Sequence, residues 1–416
     1  MTRMITKRAY KYRFYPTSEQ EDLLLRTFGC VRVVWNQILD WRQRQWVKNK
    51  VSVNYGQASE HLTSLKRDAN YIWLNEVSSV PLQQALRHQQ KAMVNFFEKR
   101  ANYPRFKSRK TKQSATFTGN GFTYKNGEIK LAKTDGPLNI VWSRPLPEGA
   151  EPSSVTVSLD RAGRYHISIL VEEEIDHLPP STKTIGLDLG VEDFAVTSDG
   201  EKIQAPRIGR KHHKKVAKLQ KSLARKEKGS KNREKARLKL AKAQAKIADS
   251  RRDFLHKLST RLVRENQTII LEDLAVKNMA AKGGSRKRGL NRSILDTGMV
   301  EFRSMLAYKA EWYGRNVEVI PRFHPSTQLC SDCGATTGPK GMNGLKTREW
   351  ACIECGSIHD RDINAAKNVL AAGTAVSVCG DGRRLRHQDH LVSEQPSMKQ
   401  KLLVSDPRIP APRGRG

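Results

Sequence analysis

Five acidic side chains stand where carboxylates are out of the ordinary. Asp188 lies inside the apolar run IGLDLG, Glu272 and Asp273 end the run TIILED, and Asp360 and Asp362 open the segment HDRDINAAKN. A mid-strand carboxylate is costly to bury unpaired, so something cationic should answer Asp188. Taken singly, the others have ordinary explanations: a helix N-cap for Asp360 or Asp362, a solvated strand end for Glu272 or Asp273. Acids on a first strand, a later strand and a terminal helix can nevertheless converge in a twisted sheet, and clustered carboxylates bind hard divalent ions such as Mg²⁺ through oxygen. Two such ions about 4 Å apart activate a water and stabilise the leaving oxygen of a phosphodiester. Strand alternation lets only one of Glu272 and Asp273 reach the ions, and spacing alone chooses neither between those two nor between Asp360 and Asp362.

A second chemistry is carried by sulfur. Cys330, Cys333, Cys352 and Cys355 form two CxxC pairs, CSDCG and CIECG, with 18 residues between them, while Cys30 and Cys379 stand alone. This spacing matches a structural zinc pattern. Four thiolates fill a tetrahedron around one Zn²⁺, which leaves nearby His359 outside the ligand set. Close CxxC pairs without a visible secretory signal read as metal ligands in a reducing compartment, with the cytoplasm as the expected location. Cys30 reads as a buried apolar residue.

The chain around these residues is strongly basic. Lys and Arg number 75 against 42 Asp and Glu in 416 residues, a formal charge of +33, which makes a polyanion the natural partner and phosphodiesters the natural substrate. The hydrophobic share of 38% suffices for several packed cores, so a wholly disordered basic chain is excluded, and no uninterrupted apolar run is long enough to span a membrane.

The elements that must position these residues can be read from pattern. RAYKYRFY (Arg8 to Tyr15) alternates as a strand that Pro16 stops, and Thr17 or Ser18 can cap a helix carrying Leu24, Phe28, Val31, Trp35 and Ile38 at helical spacing. Further helices are predicted over Tyr55 to Leu74 and Val80 to Arg100. Short β-rich runs follow to Glu174, including a hairpin at Asn126-Gly127 and a turn near Gly163. The first strand has no local partner and is expected to join this later sheet. After a linker with Pro179 and Pro180, TIGLDLGVEDFAVTSDG reads as two strands. Residues 207–264 hold roughly 22 basic against 4 acidic side chains and read as a long basic helical hairpin broken at Gly229-Ser230. Then come a strand (Thr268 to Leu274), a Gly/Lys/Arg loop (Ala280 to Asn291), a helix (Ser293 to Gly314), a strand (Asn316 to Ile320), the cysteine module and a terminal helix from Asp362.

IGLDLG, IILEDL, the TSxxC-like stretch STQLCSDCG, CIECG and HDRDINAAKN, in this order, resemble the TnpB proteins of bacterial and archaeal insertion sequences. The likeness spans about Lys7 to Leu370. Those proteins are RNA-guided DNA endonucleases related to the type V CRISPR effectors. The resemblance implies an α+β multidomain fold: a split wedge β-barrel (1–15 and 103–178), a helical recognition insertion (16–102), an RNase H-like RuvC domain (181–323 and 357–373) with the basic hairpin, a zinc-ribbon insertion (324–356) that binds target nucleic acid, and a flexible tail (374–416). It also implies Asp188, Glu272 and Asp362 as the catalytic acids holding two Mg²⁺.

Guide RNA and double-stranded target DNA are the implied partners, with no membrane and a monomer as the default state. The segment PRFKSRKTK, with Arg105, Lys107 and Arg109, reads as a phosphate-contacting loop, and Lys214, Lys218, Lys221 and Arg225 read as backbone contacts of the basic hairpin. Gln84, on the Gln-rich helix, is a candidate base reader, since Gln pairs with adenine edges. Trp35, Trp41 and Trp46 read as core packing. Two other functions stay open: a nuclease-silent RNA-guided DNA-binding regulator, and an RNA-independent transposase.

Overall fold

The opening strand, β1 (Arg3–Tyr15), buries Tyr10, Tyr12 and Phe14 at period two. Pro16 ends it, and Thr17 caps α1 (Ser18–Asn49): its side chain accepts from the Gln20 N–H, and the Gln20 side chain accepts from the Thr17 N–H, closing a capping box. Leu24, Phe28, Val31, Trp35 and Ile38 are all buried, as their spacing predicts. The chain is a computed structural model that describes residues 3–379 and 383–384, apart from 111, 282, 285, 286 and 345. Parts of the loop over 280–291 and most of the tail from 374 therefore lie outside the described residues.

Two more helices follow, α2 (Tyr55–Arg67) and α3 (Ser79–Phe97). The helix expected from Tyr55 to Leu74 stops at Arg67, because Asp68 turns extended and its carboxylate accepts from the Asn70 N–H at 2.8 Å, capping a separate 3-10 segment. The chain then becomes β-rich: β2 (Gln113–Thr118), the hairpin β3 (Phe122–Lys125) and β4 (Glu128–Leu131), β5 (Asn139–Val141), β6 (Pro152–Leu159) and β7 (Tyr165–Asp176). Asn126 and Gly127 both take positive φ, 52° and 78°, as a two-residue hairpin turn demands. β1 pairs antiparallel with β7, Tyr12 opposite Ile167, and with β5, in a sheet ordered β2-β6-β7-β1-β5. One hydrophobic core joins this sheet to the helices that interrupt it.

The second sheet is built from β8 (Thr184–Asp188), β9 (Asp193–Thr197), β10 (Lys202–Gln204), β11 (Thr268–Glu272) and β12 (Asn316–Ile320), ordered β10-β9-β8-β11-β12. β8, β11 and β12 are parallel, while β9 and β10 return antiparallel. The basic hairpin is α4 (Ile208–Ala224) and α5 (Lys231–Glu265), separated by Gly229 at φ 93° and by the Ser230 cap. Between β11 and β12 run α6 (Val276–Met279), α7 (Lys287–Thr297) and α8 (Met299–Tyr313). The single helix expected over 293–314 is two, because Gly298 adopts φ 75° between them. The cysteine module contributes α9 (Gly341–Gly344), β13 (Glu349–Ala351) and β14 (Ile358–Asp360), and leads into α10 (Arg361–Cys379). α10 continues through Cys379, past the point where the tail was expected to begin, and β15 (Arg383–Arg384) then adds to the β12 edge.

Alternation sorts the second sheet into two faces. Ile185, Leu187, Ile269 and Leu271 pack against α5 and α8. Ile270 turns the other way and meets Val369 of α10. α10 lies unusually close to the sheet because glycine stands at both crossings. A Cβ on Gly186 would come 2.4 Å from the Ala366 carbonyl oxygen and 2.7 Å from the Leu370 nitrogen, and one on Gly373 would come 2.3 Å from Ile270 Cγ2. Gly186→Ala therefore has to push two backbones apart. It is expected to lower stability by about 1–3 kcal/mol in thermal unfolding. Gly29→Ala, inside α1 where an added Cβ meets nothing within 4 Å, is expected to raise stability by up to about 1 kcal/mol.

Candidate active site

Asp188 closes β8 and Glu272 closes β11. The parallel register that pairs Leu187 with Leu271 brings these acids side by side at the carboxyl edge of the sheet, where open α/β sheets bind their ligands. Both share the parity of Gly186 and Ile270, so both fall on the face covered by α10. Asp362 stands in the first turn of that helix. A cleft of about 400 Å³ is lined by Asp188 and Asp362 together with Glu192, Asp193, Arg348 and Arg361.

The neighbouring acids are occupied elsewhere. Asp273 takes the opposite face, where Arg303 of α8 lies at 3.2 Å and Arg322 at 2.6 Å; burial alone would raise its pKa, but the two arginines hold it below the usual carboxylate range. Asp360 caps α10, accepting from the N–H groups of Asp362 at 3.1 Å and Ile363 at 3.0 Å, and pairs with Lys202. Burial again opposes ionisation there, and Lys202 with the two N–H groups overcomes it.

Crowding shows in the titration of the inner acids. Burial pushes Asp188 up to about 7, and the nearby charges of Glu272 and Asp362 add to the rise, with only Arg361 opposing. Glu272 is also raised by burial, offset in part by a hydrogen bond from the Ser326 hydroxyl and by His324. Arg361 donates to Asp362 at 2.7 Å and Arg348 at 3.0 Å, and Arg348 also bridges to Glu192. Two guanidinium groups thus answer the cluster's charge. The three acids share one field without reaching ligand spacing: among the described residues, the four cysteines form the only group of three or more metal-type side chains whose ligand atoms all lie within 4.8 Å. Oxygen donors whose like charges favour protonation are nonetheless the donor set that a hard divalent cation relieves.

The cysteine pairs form two matching knuckles. In each, the first Cys N–H donates to a carbonyl beyond the second (Cys330 to Ala335, Cys352 to Ser357), and the glycine after the pair donates back to the first Cys carbonyl. Gly334 and Gly356 take positive φ, 76° and 73°, to close these turns. The sulfurs of Cys330 and Cys355 are 3.6 Å apart and those of Cys333 and Cys352 3.7 Å, close to the edge of about 3.8 Å that four sulfurs define around Zn²⁺. The residues therefore fit zinc. His359 Nε2 meets the Cys330 sulfur at 3.0 Å and its ring leans on Trp350, in the position of a partner that orients a ligand.

Sequence reasoning missed what fastens this module to α10. Asn364 Nδ2 donates to the Leu329 carbonyl at 2.7 Å, while its Oδ1 accepts from the Ser331 N–H at 2.8 Å. Asn368 donates to the Ser326 and Leu329 carbonyls, both at 2.8 Å. The NAAKN spacing sets both amides on one face of the helix, which was the available signal. Arg348 and Arg361 were missed as well; Arg361 lies within HDRD, but nothing in the sequence ties Arg348 to Asp362.

The predicted nucleic-acid residues have mixed surroundings. Lys214, Lys218, Lys221 and Arg225 are all exposed and form one stripe along α4. Arg105 and Arg109 are exposed, but Lys107 is half-buried with its Nζ 3.8 Å from the Trp35 ring centroid. Gln84 donates to the Thr118 hydroxyl at 2.9 Å. Trp35 is buried and Trp41 stacks on His61 at 4.2 Å, but Trp46 is 52% exposed and not core. Cys30 is buried.

A family model described as "Probable transposase" matches residues 166–282, one described as "Cas12f1-like, TNB domain" matches 300–369, and a helix-turn-helix model matches 4–50. Residues 4–50 are here a strand and one continuous helix. A "Putative RNA-guided DNA endonuclease" of Streptomyces pristinaespiralis is 52% identical over 97% of this chain and 98% of its own. "Putative RNA-guided DNA endonuclease InsQ" of Escherichia coli (strain K12) is 35% identical over 91% and 96%. Among solved structures, a chain of the "Cas12f1-sgRNA-target DNA complex" has the same fold, with a TM-score of 0.55 at 14% identity over 88% of this chain and 98% of that one.

A carboxylate whose folded pKa is raised binds its proton more tightly in the folded state, so stability is lost as pH rises from about 4 toward 7. Asp188→Asn removes that loss. Without added metal, the variant is expected to be more stable than the parent by about 1–3 kcal/mol at pH 8, with the difference shrinking toward pH 4 in parallel thermal melts.

Proposed function

The chain belongs to the TnpB family, and on that premise we propose that it is an RNA-guided DNA endonuclease of an insertion sequence, cutting target DNA beside a short transposon-adjacent motif. The names of two relatives matched over nearly their whole length support the guide RNA and the DNA substrate. The observation that carries the catalytic reading is the alignment of Asp188, Glu272 and Asp362 on the α10 face of one sheet edge, with Asp188 pushed up to about 7 by burial and like charge.

In this reading Asp188, Glu272 and Asp362 hold the catalytic cations. Bound Mg²⁺, two ions in the full site, would activate a water and stabilise the leaving oxygen. Asp188, raised by burial and by the charges of Glu272 and Asp362, would lose its proton more readily with a cation held there. Arg361 and Arg348 neutralise Asp362 beforehand, and Arg348, the more exposed at 51% against 12%, is the one free to turn toward substrate phosphate. Asp273, committed to Arg303 and Arg322, holds the end of β11 in place. Cys330, Cys333, Cys352 and Cys355 hold a Zn²⁺ that is structural, since four thiolates leave no open position.

The division of the chain follows the same proposal. Residues 1–15 and 103–178 form the wedge, 16–102 the recognition insertion, 181–323 and 357–373 the nuclease domain, and 324–356 the target-binding insertion. Lys214, Lys218, Lys221 and Arg225 contact phosphates with Arg105 and Arg109. Gln84 reads a base edge beside Thr118.

Asp188→Asn, Glu272→Gln or Asp362→Asn is expected to abolish cleavage while guide RNA and target binding persist, and Asp273→Asn is expected to keep cutting. Supercoiled-plasmid cleavage with the co-purified RNA reads both, and persistent cutting by the Asp188 variant would sink the assignment. Replacing Lys214, Lys218, Lys221 and Arg225 with alanine is expected to lower the slope of log affinity against log salt by about 3. Preference among target sequences should stay unchanged.

A further inference from the structure

The helical segment ends in a second cleft, far more apolar than the first. It has a volume of about 680 Å³ and is walled by Trp46, Phe96, Phe97, Tyr103 and Phe106, with Arg42 and Arg105 and no carboxylate among its lining residues. Phe96 meets Tyr103 edge to face at 5.2 Å and 88°, so the walls offer flat rings in fixed orientation. Three of them are open to solvent: Phe97 is 66% exposed, Trp46 52% and Phe106 46%. Aromatic surface left open in a contiguous patch marks a binding surface.

The cleft is built rather than incidental. The loop that forms one wall is pinned to α1 by three hydrogen bonds: Trp35 Nε1 donates to the Arg105 carbonyl at 3.0 Å, Asn36 Nδ2 to the Lys107 carbonyl at 3.0 Å, and the Lys107 N–H to Asn36 Oδ1 at 2.8 Å. Arg42 is 5% exposed and donates to the Val53 carbonyl and to Gln90 Oε1, and its Nε has no partner among the described residues. A buried guanidinium answered only by neutral oxygens is uncompensated charge, which favours an electron-rich ligand close by. The same loop presents exposed Arg105 at the cleft and exposed Arg109 and Lys110 beyond it.

These features select among occupants. A second copy of the chain would bring +33 against +33, with no acid in the cleft to offset the repulsion. A ligand with a flat apolar face and an attached phosphate satisfies both the rings and the basic loop, which is how unpaired RNA bases are held on aromatic platforms. We infer that this cleft seats an unpaired nucleobase of the guide RNA on its aromatic walls, with the basic loop on the adjoining phosphates. The inference rests on the guided-nuclease reading above and assigns part of the RNA contact to a site away from the acids.

The test uses the full chain purified with its RNA and without DNA. Ultraviolet irradiation, nuclease digestion and mass spectrometry should find nucleotide adducts on Trp46, Phe97, Tyr103 or Phe106. Binding of an oligoadenylate should exceed that of an abasic oligomer of equal length, and Trp46→Ala or Phe97→Ala should reduce this preference by about 5-fold or more. Both residues are exposed, so thermal melting should be unchanged and loss of fold is separable. RNA present with no adduct and an unchanged preference overturns this inference alone. So does a two-chain mass in light scattering that Phe97→Asp reduces to one. A purified chain that carries no RNA and cuts nothing overturns the nuclease reading with it.

Discussion

Holding like charges together at the end of an apolar sheet is the constraint on which the second half of the molecule depends. Asp188, Glu272 and Asp362 raise one another's energy when ionised, and burial makes the repulsion worse by excluding the water that would screen it. Packing has to supply what electrostatics withholds. It does so through the two glycines that let α10 approach the sheet, Gly186 against the Ala366 carbonyl and Gly373 against Ile270. A side chain at either crossing would lift the helix and carry Asp362 away from the other two acids. The cluster's charge is met for the present by Arg348 and Arg361, and by the Ser326 hydroxyl on Glu272.

The cysteine module belongs to the same arrangement and is not an appendage to it. Asn364 and Asn368 on α10 bind the backbone that leads into the first knuckle, and the Arg361 N–H donates to the Arg348 carbonyl where β13 begins. The helix carrying Asp362 is therefore fastened to the sulfur cluster at two levels. Arg348, delivered from the module, spans Asp362 and Glu192 across the cleft. Any movement of the module relative to α10 changes the charge presented to the acids.

What the sequence revealed followed from periodicity and fixed spacing. The alternating RAYKYRFY strand, the five apolar positions of α1, the Asn126-Gly127 turn and the paired CxxC knuckles are local codes, and each appears where the pattern put it. Breaks decided by a single residue were harder to read: Asp68 capping a 3-10 segment and Gly298 at positive φ split helices that periodicity alone would have continued. Spacing did not choose between Glu272 and Asp273; the family resemblance pointed to Glu272, and a physical reason for it lies in the tertiary structure. Alternation said that they point apart, but only the positions of α10 and α8 show which face holds the cleft and which the arginines. Trp46 escaped for a related reason. About three turns after Trp35 it falls on nearly the same side of the helix, yet α1 outruns the core that would cover it, and the ring is left in an open cleft.

The molecule's charge has the same logic at two scales. Over the whole chain +33 favours ionised carboxylates, yet Asp188 is pushed the opposite way, because burial and two near neighbours outweigh distant lysines that water and salt screen. The α4 stripe is the mirror case: exposed cations at helical spacing repel one another. Each region is strained with the chain alone, and each strain has the opposite sign. A divalent cation relieves the acids, while a polyanion relieves the stripe and the basic loop beside the aromatic cleft. Under the proposed function both arrive together, since the phosphates that neutralise the basic surfaces are continuous with the phosphodiester that the acids and their cations would cut. On that reading, opposite imbalances kept on separate surfaces would be balanced only when nucleic acid and a divalent cation are both bound.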